Sequence, residues 1–143
     1  MARVSITLAE KFIFSTQLDV RVTDINYGKH LANDAVLGMM HEARVQFLAS
    51  LGHTEMNFGG YGIIMADCAV QYKAEAFLGD TLTIEIGIND MSRYGFDLIY
   101  RITREQDQKI ISIGKTGIIC YDYQIKKIAP LSQELKDQLT SHI

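Results

Sequence analysis

The sequence has little proline and cysteine, and it has no long apolar run. Pro130 is the single proline, and no Gly/Ser-rich or charged linker divides the 143 residues. A chain of this length without a linker predicts one domain over residues 1–143. No apolar run approaches the roughly 18 residues that a membrane-spanning helix needs, so we expect no membrane segment.

The two cysteines, Cys68 and Cys120, show none of the spacings that metal or redox sites use. Both lie in apolar stretches without CxxC or Cys/His spacing, which leaves zinc binding and disulfide chemistry unsupported. We expect both to be buried, reduced thiols. The sequence therefore predicts no metal site and no resident cofactor.

Charged residues of both signs are scattered along the chain. The formal net charge is −3, and the fourteen Lys and Arg residues form no basic stripe. Binding to a phosphate backbone uses such a stripe, so we expect no nucleic-acid partner. Glu10 and Lys11 precede any long apolar stretch, so the N-terminus predicts no secretory signal and a cytoplasmic protein.

Five segments alternate apolar and polar residues with the period of two that half-buried strands show. The first runs from about Lys11 to Val22. Gly114 and Gly117 lie inside the fifth and predict a bend or bulge there. The apolar faces of the other four are Ile64, Ala66, Cys68, Val70 and Tyr72; Leu82, Ile84, Ile86 and Ile88; Phe96, Leu98, Tyr100 and Ile102; and Ile111, Ile113, Ile119 and Tyr121.

One long helix is predicted from Asp34 to Leu51, with Asn33 as its N-cap and Gly52 as the residue that ends it. Its apolar stripe is wide, so we expect the helix to be largely buried. A short surface helix is predicted from Ser132 to Ile143. The stripe consists of Val36, Leu37, Met39, Met40, Ala43, Phe47, Leu48 and Leu51.

One wide helix and five strands with one apolar face each predict an α+β fold in which a curved antiparallel sheet wraps the helix. Such a sheet still has edge strands, which must be covered, charged or paired with another subunit. The edges therefore favour a dimer.

The densest group of polar and flexible residues, residues 23–34, joins the first strand to the long helix. A helix N-terminus offers backbone N–H groups and the positive end of the helix dipole, which suit a developing oxyanion. We expect the N–H groups near Gly28 to His30, or those of the first helical turn, to supply the donor.

The run from Asp24 to Asn33, followed by His41 to Arg44, resembles the hotdog-fold acyl-CoA thioesterases of the 4-hydroxybenzoyl-CoA thioesterase type. In that family a segment like D-x-D-x-x-G-H-x-N-N precedes a helix that carries E-A-R. Tyr72 to Leu82 is similar to the family's strand, turn and Gly-Asp junction, and the resemblance covers Phe12 to Tyr123. It implies a hotdog fold with one long central helix in a curved five- or six-stranded antiparallel sheet. It also implies hydrolysis of acyl-CoA or acyl-carrier-protein thioesters by a homodimer or homotetramer, with coenzyme A only as part of the substrate.

The chain departs from the family pattern at the position that matters most. Asp24 takes the first acidic position and His30 the histidine position, but Asn26 stands where the family has its second acidic residue. Asparagine cannot act as a general base, although it can orient water or the thioester carbonyl. Gly28 is shifted by one position from the family's glycine, and Ala32 replaces an asparagine.

Eight residues are candidates for the site, and each has a structural alternative. Asp24 can cap a turn, His30 can bond to backbone, Glu42 can pair with a basic neighbour on its helix, and Asp67 reaches a site only from a partner subunit. The candidate catalytic residues are Asp24, Asn26, His30 and Glu42, and the candidate substrate-binding residues are Tyr27, Gly28, Asn33 and Asp67.

Two other functions stay open beside thioester hydrolysis. Asp24, Asn26 and His30 faintly resemble the short segment of hotdog enoyl-CoA hydratases, which usually have a proline after the asparagine and a closer histidine. The missing carboxylate also fits a non-catalytic module that only binds acyl thioesters.

Overall fold

The computed structural model describes residues 2–141, which form six strands and two helices in a single antiparallel sheet-and-helix arrangement. The strand order is β1-β3-β4-β5-β2, and β6 pairs with β5. This confirms the α+β prediction and the hotdog arrangement that the resemblance implies. The elements are β1 (Phe12–Asp19), a 3₁₀ turn (Val22–Asp24), α1 (Asn33–Ser50), β2 (Gly62–Tyr72), β3 (Thr81–Asn89), β4 (Gly95–Arg104), β5 (Lys109–Asp122), β6 (Lys127–Ile128) and α2 (Gln133–Thr140).

The central strands β3 and β4 form one side of the core, and α1 packs against it. Their register places Ile84 opposite Ile102 and Ile86 opposite Tyr100, and all four side chains are buried. The period-of-two pattern therefore predicted the inner faces of these two strands correctly. Strand β1 is shorter than expected and ends at Asp19, because the chain then turns into the 3₁₀ segment.

The inner face of β5 is only partly the predicted one: Ile111 is in the core as predicted, but the middle of the strand turns its other face inward. Tyr100 of β4 pairs with Gly114 and Leu98 pairs with Thr116, so the small residues of β5 face the helix. A Cβ atom on Gly114 would lie 2.6 Å from Sδ and Cε of Met40. The pattern selected the more apolar face, whereas α1 comes so close that only small residues fit beneath it.

A register shift in β2, between Met65 and Asp67, lies opposite Gly117 and Ile118. The irregularity predicted around Gly117 is therefore present, although the extra residue belongs to β2. Such a shift increases the local bend and twist of a strand pair.

Helix α1 ends as predicted but begins differently. Gly52 has φ +82°; its N–H donates to the Ala49 carbonyl and the His53 N–H to the Leu48 carbonyl, which is a Schellman ending. The N-cap prediction for Asn33 is wrong: Ala32 occupies that position, and no side chain caps the helix. Asn33 is already helical, and its Oδ1 accepts from the N–H of Asp34 at 2.9 Å.

The sheet covers α1 on one side only. Leu37, predicted to widen the buried stripe, is 43% exposed, and the expectation of a largely buried helix is wrong for the single chain. Helix α2 begins as predicted, because Oγ of Ser132 accepts from the N–H of Leu135 at 3.1 Å. Its inner side chains, Leu135 and Leu139, are buried, and residues 142–143 of the predicted helix lie outside the described residues.

Strand β2 forms one edge of the sheet, since β5 is its only neighbour. Cys68 is exposed there, so the prediction of a buried thiol is wrong; an apolar run on an edge strand lacks the second neighbour that would cover it. Cys120 is buried as predicted, and burial raises the pKa of its thiol to about 11. No helix within residues 2–141 has the length and apolar content needed to cross a bilayer.

Helix α1 crosses the sheet diagonally. At its start, the Asn33 carbonyl accepts from the Tyr72 hydroxyl of β2 at 3.0 Å. Towards its end, the Phe47 ring packs on Phe14 of the opposite edge strand β1, with ring centroids 5.6 Å apart. The first half of α1 therefore diverges from β1, and a wedge opens between them.

A buried polar network fixes this crossing. Arg44 of α1 is 6% exposed, and its Nη1 donates to the Tyr100 hydroxyl at 3.1 Å, which contacts Oγ1 of Thr116 at 2.8 Å. Nε of Arg44 lies 3.4 Å from Glu55, which also contacts His41. Burial of Tyr100 raises the pKa of its phenol, so the hydroxyl stays neutral. The network ties α1 to β4 and β5.

Replacing Tyr100 by Phe should destabilise the protein by about 1–3 kcal/mol, because a guanidinium and a threonine hydroxyl lose a buried partner. Urea unfolding measures the change. The matched control is Tyr94→Phe at an exposed tyrosine, which should change the free energy of unfolding by less than about 0.5 kcal/mol. Equal effects of the two substitutions would contradict a stabilising network.

Candidate active site

A cleft of about 830 Å³ occupies the wedge between the first half of α1 and the end of β1. Its floor is apolar and its rim is polar and mostly acidic. The lining residues are Leu18, Asp19, Arg21, Thr23, Asp24, Ile25, Asn26, Ala32, Asp34, Ala35, Gly38, Met39 and Glu42.

Asp24 is buried at the end of the 3₁₀ turn and is held by Arg21. The backbone N–H, Nε and Nη2 of Arg21 donate to its carboxylate at 2.9, 3.1 and 3.2 Å. Burial alone would raise the pKa of Asp24, but the hydrogen bonds and charge of Arg21 prevail and lower it. Its carbonyl also accepts from the N–H of Ala32. Asp24 is therefore a carboxylate that shapes the loop.

Asn26 organises the turn that follows. Its Oδ1 accepts from the N–H of Gly28 at 2.9 Å and of His30 at 3.3 Å, and its carbonyl accepts from the N–H of Lys29. The backbone N–H groups of Gly28, Lys29 and His30 are thus already engaged within the turn, which leaves those of the first helical turn as the other expected donors. The side-chain Nδ2 of Asn26 donates to no residue between 2 and 141, so it is the donor that this loop can offer a ligand.

Glu42 enters the same cleft from α1. It is exposed, and its charge contributes, after the hydrogen bond and charge of Asp24, to raising the pKa of Arg21. Asp34, Gly38 and Glu42 are spaced by four residues and therefore lie along one side of the helix. The cleft thus brings together three of the four candidate catalytic residues, Asp24, Asn26 and Glu42.

His30, the fourth candidate, does not line the cleft. Its Nδ1 lies 3.0 Å from Oε2 of Glu75, and its ring packs beside Phe77 with centroids 5.1 Å apart. These partners come from the segment after β2, and His30 reaches Asn26 through its backbone N–H, which donates to Oδ1 of Asn26.

The four candidate binding residues lie outside the cleft lining. Tyr27 is fully exposed, and Gly28 and Asn33 take part through backbone groups at the turn and at the helix start. Asp67 lies on β2, where it accepts from Nζ of Lys115 at 2.7 Å, and this hydrogen bond lowers its pKa. Within residues 2–141, no three His, Cys, Asp or Glu side chains are placed to hold a metal ion.

Arg21, Asp34 and Gly38 are among the lining residues that were not candidate site residues from the sequence. Arg21 stands three residues before Asp24, and its backbone N–H and guanidinium both donate to the Asp24 carboxylate; an Arg and an Asp three residues apart are a signal that the sequence offers. Gly38 is a glycine in the middle of a long helix, which is unusual enough to find by inspection.

Comparisons with known proteins show which family and fold the chain shares. The sequence model described as the thioesterase-like superfamily matches residues 20–139. The long-chain acyl-CoA thioesterase FadM of Escherichia coli (strain K12) is 24% identical over 125 residues, 87% of this chain and 95% of that protein. The 1,4-dihydroxy-2-naphthoyl-CoA hydrolase of Synechocystis sp. is 24% identical over 123 residues, 84% and 89% of the two chains. A crystal structure of a 1,4-dihydroxy-2-naphthoyl-CoA thioesterase from Synechocystis superposes with a TM-score of 0.80 at 22% identity, covering 88% of this chain and 94% of that one.

Replacing Arg21 by Met should lower the free energy of unfolding at pH 7, because Asp24 loses its charged partner. The folded state lowers the pKa of Asp24. The stabilisation by the Arg21–Asp24 pair is therefore present above the pKa that Asp24 has in the unfolded chain, and it is lost as the pH falls through the pKa that Asp24 has in the folded protein. The difference between wild type and R21M should therefore shrink below about pH 4. Denaturant unfolding at pH 7 and pH 3 measures it, with Arg3→Met as an exposed control; a pH-independent difference would contradict the ion pair.

Proposed function

The chain belongs to the thioesterase-like superfamily, and we propose that it hydrolyses acyl-CoA thioesters in the cleft between α1 and β1. The observation that carries this proposal is the pairing of an exposed carboxylate, Glu42, with a backbone-anchored amide, Asn26, across one cleft. The names of two relatives, a long-chain acyl-CoA thioesterase and a 1,4-dihydroxy-2-naphthoyl-CoA hydrolase, support the same reaction.

In the proposed reaction, Glu42 is the general base and Asn26 the carbonyl donor. The oxygen of a water molecule attacks the thioester carbonyl carbon while Glu42 accepts its proton. Nδ2 of Asn26 donates to the carbonyl oxygen as that oxygen gains charge. The C–S bond then breaks, and the sulfur takes the proton from Glu42, so that a free acid and a thiol leave.

Asp24 serves this reaction indirectly, because Arg21 engages both of its carboxylate oxygens. A base must have a lone pair directed at the water, and hydrogen bonding to the charged form weakens a carboxylate as a base. We therefore assign Asp24 to positioning the loop that carries Asn26. The pairing of His30 with Glu75 favours hydrolysis over hydration, because it takes the imidazole out of the cleft.

We also propose that the chain acts as a homo-oligomer built from a dimer paired through β2. This strand is a sheet edge, and its middle residues, Met65 to Cys68, are exposed. Open edges of this kind pair readily with another chain, and pairing would place Asp67 of each subunit at the interface. Both cysteines are free thiols, which supports the cytoplasm as the compartment.

Purified protein should release thiol from one or more acyl-CoAs in a panel of straight-chain and aromatic acyl groups. Glu42→Gln should lower kcat by at least about 100-fold, because the general base is lost. The matched control, Glu134→Gln on the exposed face of α2, should leave kcat unchanged.

Other outcomes identify the other functions. Loss of enoyl absorbance without thiol release would indicate a hydratase, and thermal stabilisation by acyl-CoA without turnover would indicate a binding module. Turnover with acyl-carrier-protein thioesters alone would identify acyl carrier protein, instead of coenzyme A, as the carrier of the acyl group.

Light scattering during gel filtration should give at least twice the 16.1 kDa chain mass. Met65→Glu should shift the protein towards the monomer, because it adds charge to the edge of β2. Ile125→Glu, at an exposed position between β5 and β6, should not. A monomer at all concentrations would contradict pairing through β2.

A further inference from the structure

Helix α1 contains a glycine, Gly38, that neither its backbone conformation nor its packing explains. Glycine is a poorer helix former than any residue except proline, and Gly38 is the sixth residue of an 18-residue helix. Of the eleven glycines in the chain, four have a positive φ. Six others have an atom within 3.3 Å of a Cβ built on them.

Gly38 belongs to neither group. Within residues 2–141, a Cβ at this position would meet no heavy atom within 4 Å beyond its chain neighbours and the helix's own backbone. It is also exposed. Folding therefore gives no reason for glycine here, and alanine would be the better residue for the helix.

The space in front of Gly38 is the cleft itself. Gly38 lines it midway between Asp34 and Glu42, four residues from each, and Ala35 and Met39 lie beside it. The missing side chain leaves a gap in the helical wall between two carboxylates. A side chain at this point would project into the cleft next to Glu42, where the proposed reaction takes place.

We propose that Gly38 is a specificity-determining residue: its missing side chain admits the acyl group of the substrate against α1, and so sets how broad that group can be. This inference rests on the proposed function and adds to it the part of the cleft that holds the acyl group. The acyl group at this place is uncharged, because Asp34 and Glu42 flank it and disfavour an anion.

The experiment compares Gly38→Ala and Gly38→Leu with wild type, using acetyl-CoA as the narrow substrate and benzoyl-CoA as the broad one. G38A should raise the melting temperature by about 2–4 °C. G38L should lower kcat/KM for benzoyl-CoA by at least tenfold and for acetyl-CoA by less than threefold. Ala49→Leu is the matched control, since Ala49 is exposed on the same helix outside the cleft. It should leave kcat/KM unchanged for both substrates.

A loss by G38L that is equal for both substrates, or no loss, would overturn the role of Gly38. Binding of non-hydrolysable acetyl and benzoyl thioether analogues of coenzyme A separates this result from the proposed function. If wild type binds the analogues without hydrolysing thioesters and G38L loses only the broad one, the proposed function fails and the role of Gly38 stands. If wild type hydrolyses both substrates and G38L keeps the same ratio of kcat/KM between them, the role of Gly38 fails and the proposed function stands. Absence of both binding and hydrolysis in wild type overturns both.

Discussion

Helix α1 reaches the inner face of the sheet at Gly114, where a side chain would collide with Met40, and the rest of the structure depends on this approach. It allows Arg44 to reach the Tyr100 hydroxyl, so that a cation inside the core has a partner. A buried charge without one would cost several kcal/mol. With the middle of α1 held over β4 and β5, its start lies at Tyr72 of β2 and its later half at β1. The cleft is the space that this diagonal crossing leaves open.

The features predicted correctly from the sequence are those that short-range patterns determine. The inner faces of β3 and β4 have strict alternation, and Gly52 ends α1 through bonds within six residues. The inner face of β5 could not be predicted in the same way. In the middle of this face Gly114 has no side chain because Met40 of α1 comes close, and the buried hydroxyl of Thr116 contacts that of Tyr100; both partners are distant in sequence. Cys68 is exposed because β2 is an edge, and strand order is a property of the whole sheet.

The candidate site also combines features that local sequence patterns determine with features that depend on contacts distant in sequence. The segment from Asp24 to Asn26 was found because residues 23–34 are dense in polar and flexible residues, and Glu42 because it lies in the family's E-A-R motif. His30 does not line the cleft, and its side-chain partners, Glu75 and Phe77, come from a distant segment that the sequence pattern does not relate to it. Arg21 has a local signal, the three-residue spacing to Asp24. Whether this pair shapes the cleft depends on the burial of the Asp24 carboxylate, which the spacing does not reveal. Sequence reasoning can therefore identify the loop, whereas only the fold decides which side chains share the cleft.

Charge in the cleft also decides which part of a substrate enters it. Four acidic residues, Asp19, Asp24, Asp34 and Glu42, line the cleft against one cation, Arg21, and that cation is engaged by Asp24. The phosphates of coenzyme A are repelled by such a lining, whereas a thioester carbonyl and an uncharged acyl group carry no charge to repel. In the proposed complex the nucleotide therefore stays outside while the acyl end enters. In that complex the acidic lining would orient the substrate so that its thioester is presented to Glu42 and Asn26.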